Sequence, residues 1–391
     1  MRVLIAGDFC LGRTWEQKEI YERECVKETA DRIAALTTKH DVSVVNVETV
    51  YSDTAEPIAK TGPNLRSPLW TLDILKRMQF NVAACANNHV GDFGEQGVLD
   101  TLENLRALGM TTVGAGRDAK DAAQTAFFEK DGMTLALINC CEHEYGYAGK
   151  NKAGCAGVDW YETGQQIKAA REKADAVIVY LHGGNEYFSM PRPGMKKLCC
   201  HFVDCGAAAV VVCHAHCPQG MEIYEGAPIA YGTGNFYFPT SGGKNETWFY
   251  GYMVSLNVEK GAPVEFEIIP YLQNKPEAEI NMLEGGEKER FMEYLECISG
   301  LMQEEETYEK LTLAWCSMMA ENWGKRYLKN ATENPTDIGT LCVRNLYVCE
   351  SHNELIKTYY EAFCDGKIDE GLEKYREMIK LLQNGIIPGG K

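Results

Sequence analysis

The sequence predicts an α/β protein of two packed mixed β-sheets flanked by helices, with a C-terminal helical extension. Three observations carry the prediction. Short apolar runs alternate with helical patterns over the first two thirds of the chain. Closely spaced strand patterns follow, with no room between them for helices. From Glu284 onward only helical spacing remains.

The strand-like runs of the first part are Val3–Ala6, Val42–Val47, Val82–Ala86, Thr111–Val113, Leu135–Asn139, Ala176–Leu181 and Ala208–Cys213. Helical patterns at Leu69–Met78, Gly97–Leu108, Trp160–Ala174 and Met195–Cys205 lie between them. Strands alternating with helices make βαβ units and a largely parallel sheet. After Cys213 come Met221–Tyr224, Pro228–Gly232, Trp248–Val258 and Val264–Pro270, set close enough that antiparallel neighbours are expected. The last part reads as helices at Glu287–Glu304, Thr307–Asn330, Asn353–Phe363 and Gly366–Asn384, with Asp365-Gly366 and Asn384-Gly385 as stops. The chain therefore divides into 1–283 and a helical subdomain, 284–391. That subdomain reads as a packing element, or as the surface for a protein partner.

Composition bounds the function. A net charge of −17 over 391 residues argues against a nucleic-acid binder held by phosphate contacts, and against non-specific attachment to an acidic membrane. Met1-Arg2 passes at once into an apolar strand, with no charged region, long apolar stretch or cleavage site before it. No run approaches the roughly 18 apolar residues of a membrane helix. The expectation is a cytoplasmic protein without a membrane span. Sixteen cysteines, two pairs of them adjacent, are read as reduced core thiols.

Metal-ligand residue types close strand after strand. Asp8 follows Val3–Ala6. Asn46 and Glu48 close Val42–Val47. Asn87-Asn88-His89 follow Val82–Ala86, His182 follows Ala176–Leu181, and His214 and His216 follow Ala208–Cys213. Ligands bind outside the carboxyl ends of strands in α/β sheets, and Asp, Glu, Asn and His suit a borderline divalent cation. Singly, each has a plainer reading: Asp8 as a helix cap, Asn88 as a turn residue, His89 or His182 as a satisfied buried histidine. Their conjunction at one edge points to a shared metal site. Around it, Asp92 either orients the His89 ring or caps the helix beginning near Gly94. Arg13, Lys60 and Arg66 are either anion anchors or surface charge. Glu186 and Tyr187 either face substrate or shape a loop. Asn235 ends a Gly-Thr-Gly-Asn turn and is suited to holding the ligand loops together. Glu142, His143 and Glu144 either rim the site or form a solvated loop.

The segments Gly7-Asp8, Asn46-Val47-Glu48, Ala86-Asn87-Asn88-His89, Leu181-His182-Gly183-Gly184, His214-Ala215-His216 and Tyr231-Gly232-Thr233-Gly234-Asn235-Phe236 together resemble the CapA/PgsA family of bacterial capsule and poly-γ-glutamate proteins, over about residues 1–260. The resemblance implies the four-layer sandwich of calcineurin-like metallophosphatases. It further implies that Asp8 and His216 bind a first ion, that Glu48 bridges two, and that Asn88, His182 and His214 bind a second. His89 would give a proton to the leaving group. The first motif of typical metallophosphatases, Asp-x-His, is here Asp8-Phe9-Cys10, the bridging acid is the longer Glu48, and His182 is followed by Gly183 where the family often has tryptophan.

The functional expectation is a hydrolase using one or two divalent transition ions (Zn, Mn or Fe). It would act on a phosphoester or on a γ-glutamyl bond of a cell-envelope polymer, or on a small molecule. The alternative is a non-catalytic accessory or polymer-binding protein in capsule metabolism. A cysteine-dependent or redox enzyme is disfavoured, since no Cys-x-x-Cys motif is present. A dinucleotide-binding fold is disfavoured too, because Gly114-Ala115-Gly116 lacks the rest of the fingerprint.

Overall fold

The computed structural model describes residues 1–11, 19, 22–239, 244–273, 278–333 and 337–388. Among the described residues sixteen strands run in chain order as β1 (Arg2–Phe9), β2 (Val42–Val47), β3 (Val82–Ala84), β4 (Thr111–Val113), β5 (Ala115–Gly116), β6 (Ala126–Lys130), β7 (Met133–Cys141) and β8 (Gly154–Cys155). They continue as β9 (Ala176–His182), β10 (Ala209–Cys213), β11 (Met221–Tyr224), β12 (Ala227–Ala230), β13 (Asn235–Tyr237), β14 (Tyr250–Asn257), β15 (Glu265–Gln273) and β16 (Ile280–Met282). One sheet has the order β16-β15-β14-β1-β2-β3-β4, with β13 also on β1; the other runs β11-β12-β10-β9-β7-β6.

The first sheet shows why alternation matters. Val3, Ile5, Val42, Val44, Val82 and Ala84 face the second sheet and join its core. Leu4, Ala6, Val45, Val47 and Ala83 face the other way. There they meet α1 (Glu24–Thr37), α2 (Leu72–Arg77) and α3 (Gly94–Ala107). The short α4 (Ala119–Ala122) precedes β6. The second sheet is apolar on both faces, as a covered parallel sheet requires, and its outer face takes α5 (Trp160–Arg171) and α6 (Pro193–Asp204). The layers are helix, sheet, sheet, helix. The Tyr180 hydroxyl ties the sheets together by donating to the Ala6 carbonyl at 2.6 Å.

The strand positions and the helix stops near Gly366 and Gly385 agree with the sequence reading. The expectation of antiparallel neighbours after Cys213 holds for β11 with β12 and for β14 with β15, and β16 then adds antiparallel to β15. On its other edge β12 pairs parallel with β10, and β13, a strand not read from the sequence, pairs parallel with β1. Both strands are buried along their whole length, the setting in which parallel pairing is found. Helices α1 and α4 and strands β5, β6, β8, β13 and β16 lie outside the elements read from sequence, as does the C-terminal helix at Asp337–Val348.

The C-terminal part folds as α7 (Gly285–Leu301), α8 (Glu305–Met319), α9 (Lys325–Glu333), α10 (Asp337–Val348), α11 (Glu350–Cys364) and α12 (Glu373–Gln383). The run read as one helix from Thr307 to Asn330 is interrupted by a π-helical turn at Ala320–Gly324. These helices share the core of the second sheet: Trp315 stacks on Phe188 with ring centroids 4.9 Å apart. Among the described residues no helix is long and apolar enough to cross a membrane.

Candidate metal centre

The carboxyl ends of β1, β2, β9 and β10 meet where the two sheets touch. In register, Asp8 pairs with Asn46 on β2 and with Asn235 on β13, and His182 pairs with Cys213 and Cys141. A shift between Ala6 and Asp8 turns the end of β1. Gly7 is required at that shift, because a Cβ there would lie 2.0 Å from the Gly234 carbonyl oxygen. His214 and His216 leave β10 with φ of 102° and 54°. Non-glycine residues adopt such values at a cost of order 1–3 kcal/mol, and they cluster at functional sites. This backbone turns both rings of the His-Ala-His segment inward.

The side chains converge. One Asp8 oxygen accepts from Asn46 Nδ2 at 2.8 Å and the other from the His214 backbone N–H at 3.1 Å. His182 Nε2 lies 3.0 Å from Asn88 Oδ1, 3.0 Å from His214 Nδ1 and 3.6 Å from Glu48 Oε1. His216 Nδ1 meets Asn235 Oδ1 at 2.9 Å, leaving Nε2 4.0 Å from Glu48 Oε1. Two sets of ligand-type atoms, from Asp8, Glu48 and His216 and from Glu48, His182 and His214, each fall within 4.8 Å of one another. Glu48 belongs to both. Its side chain is fully buried, and neither carboxylate oxygen has a hydrogen-bond partner.

Electrostatics follow from that burial. Desolvation, then the charges of Asp8, Glu186 and Asp92, push the Glu48 carboxyl well above its usual range. Burial raises Asp8 as well. Burial and neighbouring imidazoles drive His182 and His216 well below the usual histidine value, so both rings are neutral and keep a lone pair for coordination. A buried carboxylate with no donors is costly. A divalent cation would supply the missing partner, and the donor set of carboxylates and neutral imidazoles fits one.

His89 faces the same point from the turn after β3, with Nε2 3.9 Å from Glu48 Oε1. Its Nδ1 bonds Asp92 Oδ2 at 2.6 Å, while Lys60 Nζ meets Asp92 Oδ1 at 2.5 Å. Asp92 does not cap α3, whose N-cap position is Phe93 and carries no side-chain cap bond. A cleft of about 480 Å³ opens over Asn88, His89 and His214, walled by Lys60, Glu186 and Tyr187. The C-terminal helices form its far side through Trp315, Met319, Arg326, Asn345 and His352.

The chain matches the model of the bacterial capsule synthesis protein family PGA_cap over residues 2–240. It belongs to that family. To PGA biosynthesis protein CapA of Bacillus subtilis it is 32% identical over 203 residues, 51% of this chain and 53% of the relative. To capsule biosynthesis protein CapA of Bacillus anthracis it is 28% identical over 247 residues, 61% and 60% of the two chains. A Mycobacterium tuberculosis relative described as a probable polyglutamine synthesis accessory protein is 28% identical over 213 residues, 51% and 56%. The chain thus spans little more than half the length of these relatives. A solved structure described as a novel phosphatase from Mycoplasma pneumoniae aligns with 14% identity over 71% of this chain and 95% of that one, at a TM-score of 0.47.

The PGA_cap match spans every residue named from the sequence as a ligand, and it stops before the helices that complete the cleft. Asp8, Glu48, Asn88, His182, His214 and His216 come together, with His89, Asp92, Lys60 and Asn235 against them. Glu186 and Tyr187 line the cleft; the Tyr187 hydroxyl bonds Lys244 at 2.8 Å. Arg66 does not reach it, being exposed and seated over the Phe93 ring at 4.6 Å. Arg13 lies outside the described residues. Cys10 packs with Leu65, Phe238 and Trp248, as a core thiol does. Sequence reasoning passed over Cys213, whose sulfur is 3.3 Å from His182 Nδ1. It also left the Glu142–Glu144 loop undecided. Glu144 bonds Asn88 directly, and despite burial the charges of His352 and His214 hold its carboxyl down to about 2.

Proposed function

We propose that this chain is a metal-dependent hydrolase acting on a phosphoester or on a γ-glutamyl bond of an envelope polymer. The observation that carries the reading is Glu48, buried with two unpartnered oxygens and facing three imidazoles at 3.6–4.0 Å. Asp8, Glu48 and His216 would hold one ion; Glu48, Asn88, His182 and His214 would hold a second. Bound there, a divalent ion supplies Lewis acidity and a hydroxide-like water at neutral pH. The chain's own part is positional and protic. Asn46 fixes Asp8, and Asn235 fixes the His216 ring. Burial and the Lys60 charge hold His89 below the usual histidine value, and Asp92 on Nδ1 offsets them in part; a proton carried on Nε2 would pass to the departing oxygen or nitrogen. Lys60 holds Asp92 in place and presents positive charge at the cleft wall.

A second reading, a polymer-binding accessory protein, draws on Cys10. Its place in an apolar cluster leaves the first ion without the imidazole of the usual motif. The accessory description of the mycobacterial relative is in keeping with it.

Metal analysis separates the two readings, with wild type beside His214→Ala and Glu48→Gln, each assayed on p-nitrophenyl phosphate, its diester and a γ-glutamyl anilide. One or two equivalents of a transition metal, lost with hydrolysis in both variants, is the expected result. Wild-type protein that is folded, metal-free after supplementation and inert on all three substrates would sink the hydrolase.

A further inference from the structure

The loop after β7 is fastened to the C-terminal helices at four successive residues. Glu142 pairs with Arg192, which pairs with Glu354 of α11 at 2.8 Å. His143 bonds Glu350 of α11 through its backbone N–H at 2.8 Å and Nδ1 at 2.6 Å. Glu144 lies 3.8 Å from His352 Nε2, and its carbonyl accepts from Arg344 of α10 at 2.6 Å. The Tyr145 hydroxyl donates to the Leu341 carbonyl of α10 at 3.3 Å. Glu144 is the inward member of this set: its Oε2 accepts from Asn88 Nδ2 at 2.7 Å.

The geometry points to Glu144 as the positioning residue for Asn88, set in place by the C-terminal helices. This rests on the metal reading above. An asparagine amide has a donor end and an acceptor end of almost equal size. Only the carbonyl end can bind a cation. A carboxylate beside the amide accepts hydrogen bonds and gives none, so the NH2 group turns to Glu144. Oδ1 is left facing His182 Nε2 at 3.0 Å. Without Glu144 the amide has two orientations, one of which aims N–H bonds at the ion. The helices beyond the matched family region are therefore part of the site, through α10 and α11.

Cobalt(II) is the probe, its affinity read by chelator competition and its coordination by the visible absorption band. Glu144→Ala is expected to bind about 10–100-fold more weakly, as removal of an outer partner of a ligand does. Glu144→Gln keeps an acceptor oxygen and should restore most of the affinity. The double variant Asn88→Asp with Glu144→Ala has oxygen at both ends of residue 88, so it should regain what Glu144→Ala alone loses; a merely structural glutamate predicts no such rescue. If Glu144→Ala is folded and binds cobalt with wild-type affinity and spectrum while Asn88→Ala does not, the positioning role is wrong and the metal site stands. If wild type itself takes up no cobalt, both fall together.

Discussion

Glu48 without an ion is a liability to the fold. Its raised carboxyl, like that of Asp8, binds a proton more readily folded than unfolded. The sign follows: stability is full below the unfolded value and is lost as pH rises through the folded one. Ion-free protein should therefore weaken from mildly acidic to neutral pH. Glu48→Gln should stabilise it at neutral pH by about 1–3 kcal/mol, the range for relieving an unsatisfied buried group, while abolishing ion binding. Thermal unfolding of chelator-treated wild type and variant at two pH values checks this; a variant less stable than ion-free wild type would contradict it. The candidate ligands were legible from sequence because each follows an apolar strand, so one rule about strand ends named six of them. Glu144 and Cys213 were not, for different reasons. Cys213 lies inside a run of valines and reads as core. Glu144 acts only through a contact with Asn88, fifty-six residues away in the chain.

At the scale of elements, the pairing of the β7–β8 loop with α11 makes stability depend on pH in a defined window. The hydrogen bond to Glu350 raises His143 above its usual 6.5. Glu350 lies below its usual 4.5 because His143 donates to it from ring and backbone, although burial opposes this. The histidine contribution is full below 6.5 and is lost as pH rises through the higher folded value. The glutamate contribution is present above 4.5 and is lost as pH falls through the lower folded value. The stability difference between wild type and His143→Ala, read by urea unfolding, should peak between those limits and shrink at mildly alkaline pH; a difference flat with pH would refute the pairing. Strand and helix positions were readable because period and Gly stops are local. The parallel seats of β12 and β13 were not. They are decided by which sheet covers a short apolar strand, and pattern alone does not carry that.

At the scale of the whole molecule, the division into 1–283 and 284–391 stands as a proposal about organisation, and its two parts share one core. Phe188, Met195 and Tyr294 belong to the same apolar cluster as Leu311, Trp315 and Leu355. A chain ended at Leu283 should lose cooperative thermal unfolding and bind a hydrophobic dye; cooperative melting near the full-length temperature would mean that the sheets suffice alone. The net charge of −17 makes the cleft's positive wall local, with Lys60 within it and Arg326 on its far side. That far side is built from the end of the chain, whereas every candidate ion ligand lies before Asn235. Chains are made from the N-terminus at about 5–20 residues per second. On the ribosome the candidate ligands are therefore made several seconds before the helices that wall the cleft, and the site can be completed only when those helices arrive.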